Sequence, residues 1–316
     1  MKSDLSGLLA AIRGQPWAIL PSYLDAIEAL ALRAWEAGAL RQVEDDGHVA
    51  RLLAAQEAVA ATGQPLAGAT MSTVRDGAAV LPVFGPIFPR ANMINSSAGG
   101  TSLDSVMRDL RVALAAQDVE RIVMVFDTPG GVVSGLGEAA ETIRKASKPV
   151  TAFVTGIAAS AGYWLASQAS ELVIERAAGV GSIGVVASLS RQEAPGADGM
   201  RSYEIVSANA PRKRPDPTSD EGKAEIQAQV DALEAVFIAD VARGRQTTDA
   251  RVRSDFGRGG MMNGEAAVDA GMADRIGTLD GVLRKPGRTR DMTTTAPRRA
   301  LAAADLNTRR LAADRS

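Results

Sequence analysis

The chain has 316 residues, which is enough for one large domain or two modest ones with a substantial core. A hydrophobic content of 46% and a charged content of 23% are typical of a globular protein, and the net charge of −2 argues against a general nucleic-acid binder. The absence of cysteine excludes disulfides, thiolate metal sites and a cysteine nucleophile. No apolar run has the length that a secretory signal or a membrane span needs, so we expect a cytoplasmic protein without membrane contact.

The hydrophobic pattern divides the chain into three parts. Residues 1–70 predict a helical N-terminal region, in which Leu24 and Ile27 recur at helical spacing. Residues 71–284 alternate apolar runs with amphipathic stretches, which is typical of an α/β domain with a parallel sheet and βαβ units. Residues 285–316 contain more basic than acidic residues, and we expect a disordered tail there. The alternative for this tail is a docking segment for an acidic partner or nucleic acid.

The elements of the central part follow from the same pattern. Strands are expected at 80–88, 121–126, 149–155, 172–174, 181–187 and 203–206. Helices are expected at 101–116, 135–146, 219–242 and 263–271, with a further helix that begins at Ser160. The strand at 149–155 is expected to end in a tight turn that contains Gly156.

Ser160 lies where that strand gives way to a helix. Ala158, Ser160 and Gly162 form a looser version of the G-x-S-x-G turn, in which a serine is exposed at the corner between a strand and a helix. Backbone N–H groups lie close to a side chain in this position, which suits a nucleophile. The alternative is an ordinary serine that caps the helix N-terminus. The local pattern leaves both interpretations open.

The base for such a nucleophile is not expected to be histidine. The single histidine, His48, lies in a polar segment far upstream, so a Ser-His-Asp triad and a multi-histidine metal centre are both disfavoured. Lysine remains as a candidate base. Lys213 follows an expected strand, in a stretch restrained by Pro211 and Pro215, where it can be held rigidly enough to take a serine proton. Its alternative is an exposed basic loop, and Lys223 beside two glutamates is the next candidate.

Glycines at the ends of two expected strands offer backbone donors. Gly130 and Gly131 follow one strand, and Gly181 opens another. Without a Cβ, a glycine N–H can closely approach a ligand, so the N–H of Gly130 or Gly131 together with that of Ala161 can serve as an oxyanion hole. The alternative is that these glycines only form ordinary turns.

Five motifs occur in order and resemble the signal peptide peptidase A family of Ser-Lys serine peptidases, in particular its soluble phage and prophage branch. The motifs are Asp127-Thr-Pro-Gly-Gly131, Gly156-Ile-Ala-Ala-Ser160-Ala-Gly-Tyr-Trp164, Gly181-Ser-Ile-Gly-Val185, Ala210-Pro-Arg-Lys213-Arg-Pro-Asp-Pro217 and the stretch 264–278. The resemblance covers residues 78–283 and implies a Clp protease/crotonase-like fold. It also implies Ser160 as nucleophile, Lys213 as general base, and Gly131 with Ala161 as oxyanion donors, with no metal or cofactor.

The resemblance further implies protein substrates and a homo-oligomeric ring in which neighbouring subunits help to complete the active site. We therefore expect a serine endopeptidase that processes phage capsid, scaffold or portal proteins during prohead assembly. Cleavage of its own tail within 285–300 is an additional hypothesis. The alternatives are a non-catalytic minor capsid or scaffold component of the same fold, and a crotonase-like acyl-CoA enzyme. The latter needs a carboxylate base, and the sequence offers none beside the Ser160 turn or in 181–187.

Overall fold

Two sheets with helices packed on them form the part of the chain that the structure describes. This computed structural model describes residue 12 and residues 15–36, 63–90, 100–189 and 206–284. In chain order, the strands are β1 (Trp17–Ile19), β2 (Gln64–Pro65), β3 (Thr73–Arg75), β4 (Ala78–Phe84), β5 (Ile87–Phe88), β6 (Thr101–Ser102), β7 (Arg121–Thr128), β8 (Gly130–Val132), β9 (Val150–Ala159), β10 (Glu171–Ile174), β11 (Gly179–Gly181), β12 (Met261–Asn263) and β13 (Arg275–Ile276). The helices are α1 (Pro21–Glu36), α2 (Leu103–Ala115), α3 (Leu136–Arg144), α4 (Ala161–Ala166), α5 (Asp220–Gly244), α6 (Asp249–Asp255), α7 (Gly264–Asp269) and α8 (Leu279–Arg284).

The larger sheet has a parallel centre, as the sequence predicts. Strands β4, β7 and β9 lie side by side, with Ala78 opposite Arg121 and Ile122 opposite Val150. On the other side of β9, β10 pairs with its first half and β11 with its second half, both in parallel. Antiparallel strands lie outside this centre, with β3 and β2 beyond β4 and with β12 beyond β11. The carboxyl ends of β7 and β9 therefore meet at one edge of the sheet.

Both faces of this parallel centre are buried, which explains its uninterrupted apolar runs. On one face, Leu81 and Met124 belong to the main core cluster, to which α2, α3 and α4 contribute. On the other face, Val80 and Val123 pack with Val282 and its neighbours from the C-terminal helix α8. Successive strand residues thus alternate between two cores.

A second, smaller sheet lies next to the end of β7. Its strand order is β1-β8-β5-β6. Strand β8 follows β7 directly after Pro129, pairs in parallel with β5 through Ile87 and Gly131, and pairs antiparallel with β1. The segment Gly130–Val132 therefore carries the chain from the large sheet into the small one.

The helix expectations in the central part are confirmed. Both ends of helices α2, α3, α5 and α7 lie within two residues of the expected ends. Ser102 and Ser219 cap α2 and α5, because their hydroxyl oxygens accept from the N–H groups of Ser105 at 3.4 Å and Gly222 at 3.0 Å. The parallel α/β architecture is also confirmed.

The N-terminal region differs from the helical expectation. Helix α1 is present, but Trp17–Ile19 and Gln64–Pro65 are strands. Pro16 and Pro21 bracket the first of these, and Pro21 opens α1, a position at which its missing N–H costs nothing. All three residues of β1 are buried against the α/β part of the chain, so this segment belongs to that part's core and does not form a separate helical layer.

The strand expected at 149–155 continues past Gly156. Strand β9 reaches Ala159, because its last residues pair with β11 and because its pairing with β7 resumes at Ala158 after an irregularity opposite Asp127. The expected turn at Gly156 was therefore wrong. An irregularity of this kind depends on the neighbouring strand, which a local pattern does not reveal.

The strand expected at 181–187 is also shorter and shifted. Strand β11 ends at Gly181, because Gly181 and Ser182 have positive φ angles, 133° and 53°, which take the backbone out of the extended conformation. Val186 forms an isolated bridge to Trp17. Most of the expected strand 203–206, His48 and the tail 285–316 lie outside the described residues, and the boundaries at 70 and 284 stay predictions.

Candidate active site

Ser160 occupies a strained corner between β9 and α4. Its φ of 52° and ψ of −114° place a non-glycine residue in a sparsely populated backbone region. Its N–H donates to Gly181 O at 2.7 Å, and its side chain is almost fully buried. The residues on either side, Ala159 and Ala161, are also buried, so the surrounding structure holds the corner in place. This is the strand-to-helix serine turn that the sequence predicts.

The hydroxyl of Ser160 does not cap α4. No side-chain capping hydrogen bond is formed at this helix start, and Oγ instead donates to Gly184 O at 3.4 Å. A capping serine has a β-region backbone and accepts from the N–H two or three residues on. The capping alternative is therefore contradicted at Ser160, and the hydroxyl is held toward the segment that follows β11.

Strand β8 passes directly beside Ser160. An added Cβ on Gly130, whose φ is +108°, would lie 3.0 Å from Ser160 Cβ. The N–H of Gly130 donates to Thr128 Oγ1 at 3.2 Å, while that hydroxyl donates to Gly85 O at 2.7 Å. The N–H of Gly130 is therefore already used inside the protein. Gly131, the next residue, has no room for a Cβ either, because Ile87 O lies 1.9 Å from that position.

The structure brings four of the five predicted site residues together. Gly130 and Gly131 lie in β8 beside Ser160, and Ala161 is the first residue of α4, where N–H groups have no partner within the helix.

Lys213 stays apart from this group. It lies in a short 3-10 helix, Pro211–Lys213, before α5. Its side chain is exposed, and no hydrogen bond or ion pair joins it to Ser160 among the described residues. Lys223, the second candidate, is also exposed and lies 3.9 Å from Asp220. The described part of a single chain therefore presents Ser160 and the glycines of β8 without a lysine at the serine hydroxyl.

Sequence reasoning missed the residues that cover this site. Strand β1 pairs with β8, placing Trp17 opposite Val132 and Ala18 opposite Gly131. The available signal was an apolar run between Pro16 and Pro21, which is too short to separate a strand from a helical turn.

Two negative findings apply to the described residues alone. Among them, no group of three or more His, Cys, Asp or Glu side chains is placed to hold a metal ion. None of the helices described is long and apolar enough to cross a membrane.

Comparison with known proteins identifies two overlapping domain types. Residues 142–292 match Peptidase family S49, and residues 89–178 match Clp protease. Capsid assembly protease C of Escherichia phage lambda is 30% identical over 208 residues, which is 64% of this chain and 47% of that protein. Head-tail preconnector protein GP5 of Enterobacteria phage P21 is 27% identical over 292 residues, which is 87% of this chain and 56% of that protein.

Protease 4 of Haemophilus influenzae is 27% identical over 198 residues, which is 60% of this chain and 31% of that enzyme. The chain thus spans less than two thirds of each of these three relatives. Together, the two ranges matched by the family models include Ser160, the glycines of β8 and the ordered motifs that carry the resemblance. The resemblance is therefore confirmed, because residues 142–292 match Peptidase family S49 and residues 89–178 match Clp protease.

Proposed function

We propose that the chain is a serine endopeptidase in which Ser160 is the nucleophile and Lys213 is the general base. The observation that carries this proposal is the strained backbone of Ser160 beside β8, where an added Cβ on Gly130 would lie 3.0 Å from Ser160 Cβ. Because the N–H of Gly130 is already donated to Thr128, Gly131 is the better donor, and Ala161 supplies the second N–H.

The reaction is acyl transfer to Ser160. The neutral amine of Lys213 takes the proton from Oγ as Oγ attacks the substrate carbonyl carbon. The N–H groups of Gly131 and Ala161 stabilise the oxyanion, and the lysine ammonium then gives its proton to the leaving amine. Water, deprotonated by the same lysine, attacks the acyl-enzyme and releases the second product with Ser160 restored. No metal or cofactor enters these steps.

Lys213 reaches the serine across an interface in this proposal. Its side chain is exposed and forms no hydrogen bond or ion pair within the described part of its own chain. In a ring of copies, Lys213 of one subunit completes the site that contains Ser160 of its neighbour. Mixing inactive Ser160→Ala and Lys213→Ala chains, unfolded and refolded together, is then expected to restore part of the activity. Activity returns only at interfaces in which Lys213 of a Ser160→Ala chain meets Ser160 of a Lys213→Ala chain.

The proposed substrates are phage head proteins. Two relatives are named as a capsid assembly protease and a head-tail preconnector protein, which supports capsid, scaffold or portal chains as substrates. The test incubates the purified protein with the head proteins of the same phage and follows intact masses. Wild type is expected to cut at least one of them, while Ser160→Ala and Lys213→Ala leave all of them whole.

Lys223→Ala is the matched control, since it removes an exposed lysine near the start of α5, the helix that follows Lys213. It is expected to retain wild-type cleavage. Loss of activity in Lys223→Ala with retention in Lys213→Ala would move the base to Lys223. Equal inactivity of wild type and both variants in the assembled state would favour the non-catalytic structural component.

A further inference from the structure

Strand β1 lies between two segments of the active-site region. On one edge it pairs with β8, with Trp17 opposite Val132 and Ile19 opposite Gly130. On its other edge, Trp17 exchanges two backbone hydrogen bonds with Val186, at 2.9 Å and 2.8 Å. A three-residue segment from the N-terminal region therefore fills the space between β8 and the chain that follows β11.

The register places the carbonyl of Ala18 at the proposed oxyanion donor. Flanking bonds run from Leu20 N–H to Pro129 O at 2.9 Å and from Val133 N–H to Pro16 O at 3.3 Å. Hydrogen-bonded pairs alternate with non-bonded pairs along an antiparallel ladder. The pair between these two, Ala18 with Gly131, is therefore a hydrogen-bonded one, in which Gly131 N–H donates to Ala18 O.

The peptide bond that follows Ala18 lies beside the nucleophile. The position that a Cβ on Gly130 would take is 2.2 Å from Ala18 O, 2.9 Å from Ile19 Cα and 3.0 Å from Ser160 Cβ. The Ala18–Ile19 peptide and the serine therefore both lie close to the same point beside Gly130. An extended chain paired on both edges, with one carbonyl at the oxyanion donor, is how a peptide substrate would bind by strand addition.

We propose that residues 16–20 occupy the enzyme's own peptide groove in the register of a substrate, with the Ala18–Ile19 bond facing Ser160. The proposal rests on the assignment of Ser160 as nucleophile made above. The groove then takes extended peptides with a small residue before the bond that faces the serine, because Ala18 is fully buried in the main core. A protein substrate has to displace this segment before it can be cut.

The segment is anchored on both sides of that bond. Trp17 is fully buried, its ring lies 6.1 Å from that of Phe88 in an edge-on arrangement, and its Nε1 donates to Ile12 O at 2.7 Å. Ile19 packs with Leu24 of α1 in the same cluster. An intramolecular segment competes at an effective concentration on the order of millimolar, so weak peptide substrates are excluded until the segment moves.

A reversible disulfide tests whether residues 16–20 occupy the groove. Because the chain has no natural cysteine, no other thiol can form a competing disulfide. Trp17 and Val132 form a non-hydrogen-bonded pair, in which side chains are close enough for a disulfide. In a Trp17→Cys/Val132→Cys chain, reduction frees the segment and oxidation locks it. The background carries Ser160→Ala, so the assay needs no catalysis. The probe is a fluorescein-labelled synthetic peptide with the sequence of residues 14–22, and its binding is followed by anisotropy.

The reduced form is expected to bind the probe at least about tenfold more tightly than the oxidised form. Val74→Cys/Ala79→Cys is the matched control, because these residues face each other in the same way in the β3–β4 hairpin at the far edge of the sheet. Oxidation there is expected to leave probe binding unchanged. Thermal unfolding of each form checks that both variants are folded.

A milder variant covers the case in which removal of Trp17 prevents folding. Ile19→Ala trims one anchor, and it is expected to bind the probe more tightly than the Ser160→Ala parent. Equal affinity in the reduced, oxidised and trimmed chains would overturn the proposal. If probe binding changes as expected while the wild-type chain cleaves no head protein, the result supports the peptide groove and contradicts the proposed peptidase function.

Discussion

The N–H of Ser160 donates to the carbonyl oxygen of Gly181 at 2.7 Å, and this bond ties the serine corner to the end of β11. Gly181 has a φ of +133°, and Gly260 O lies 2.5 Å from where its Cβ would be. The unusual backbone of Ser160 is thus supported by a second unusual residue on the neighbouring strand.

Gly181→Ala is therefore expected to disturb Ser160, the proposed nucleophile. The added methyl group collides with the Gly260 backbone and shifts the carbonyl that holds Ser160. We expect turnover to fall by about 100-fold, as for a misplaced catalytic group, and the free energy of unfolding to fall by about 2 kcal/mol. Cleavage kinetics and urea denaturation measure the two effects.

Gly137→Ala is the control for this substitution. Gly137 lies in α3, and nothing lies within 4 Å of where its Cβ would be. The change is expected to stabilise the protein by about 0.5 kcal/mol and to leave turnover unchanged. If Gly181→Ala behaves in the same way, Gly181 does not support the serine corner.

Thr128→Val tests the anchor of β8. Thr128 is fully buried, and its hydroxyl satisfies both the carbonyl of Gly85 and the N–H of Gly130. Valine has the same shape but leaves both groups unpaired, so we expect a loss of about 2 kcal/mol in unfolding free energy together with reduced turnover. Thr142→Val, which removes a single hydroxyl bond to Glu138 O on a helix surface, is expected to change stability by less than about 0.5 kcal/mol. Similar losses in the two variants would refute this role for Thr128.

Arg245→Met tests the link between α5 and the segment before β13. Arg245 is 1% exposed and donates to both carboxylate oxygens of Asp274 at 3.1 Å, while its Nε donates to Gly271 O at 3.1 Å. Removal leaves a largely buried carboxylate without this partner, which we expect to cost about 3 kcal/mol in thermal or urea unfolding. The control is Arg284→Met, because Arg284 is 77% exposed and 3.9 Å from Asp280, and a change within about 0.5 kcal/mol is expected there.

Trp164→Phe tests how α5 is fixed on the serine helix α4. The ring of Trp164 stacks on Phe237 with centroids 4.4 Å apart, and its Nε1 donates to Asp240 Oδ2 at 2.9 Å. Phenylalanine keeps the stacking and loses the hydrogen bond, so about 1–2 kcal/mol of unfolding free energy should be lost. A melting temperature equal to that of wild type would show that this bond does not hold α5.

Local features made most of the site predictable. The run Ala158-x-Ser160-x-Gly162 and the glycines after β7 are local signals, and the parallel order of β7 and β9 brings their ends together. Strand β1 could not be predicted in this way, because its pairing partner Gly130–Val132 lies far along the chain. Three apolar residues are compatible with either a strand or a helix until that partner is known.

The position of Lys213 illustrates a different limit. The sequence predicts a restrained lysine between prolines, and the short 3-10 helix Pro211–Lys213 agrees with that restraint. The proposed function pairs Lys213 with Ser160 of a neighbouring copy, and a pattern within one chain contains no information about such an assembly.

The most direct test of the central claim is to trap the acyl-enzyme on Ser160. A small peptide ester with alanine at the acyl position is mixed with the protein, the reaction is quenched in acid, and the adduct is mapped by tandem mass spectrometry. The account predicts an acyl group on Ser160 in wild type and none in Ser160→Ala. An acyl group on a different residue, or ester hydrolysis that persists in Ser160→Ala, would contradict it.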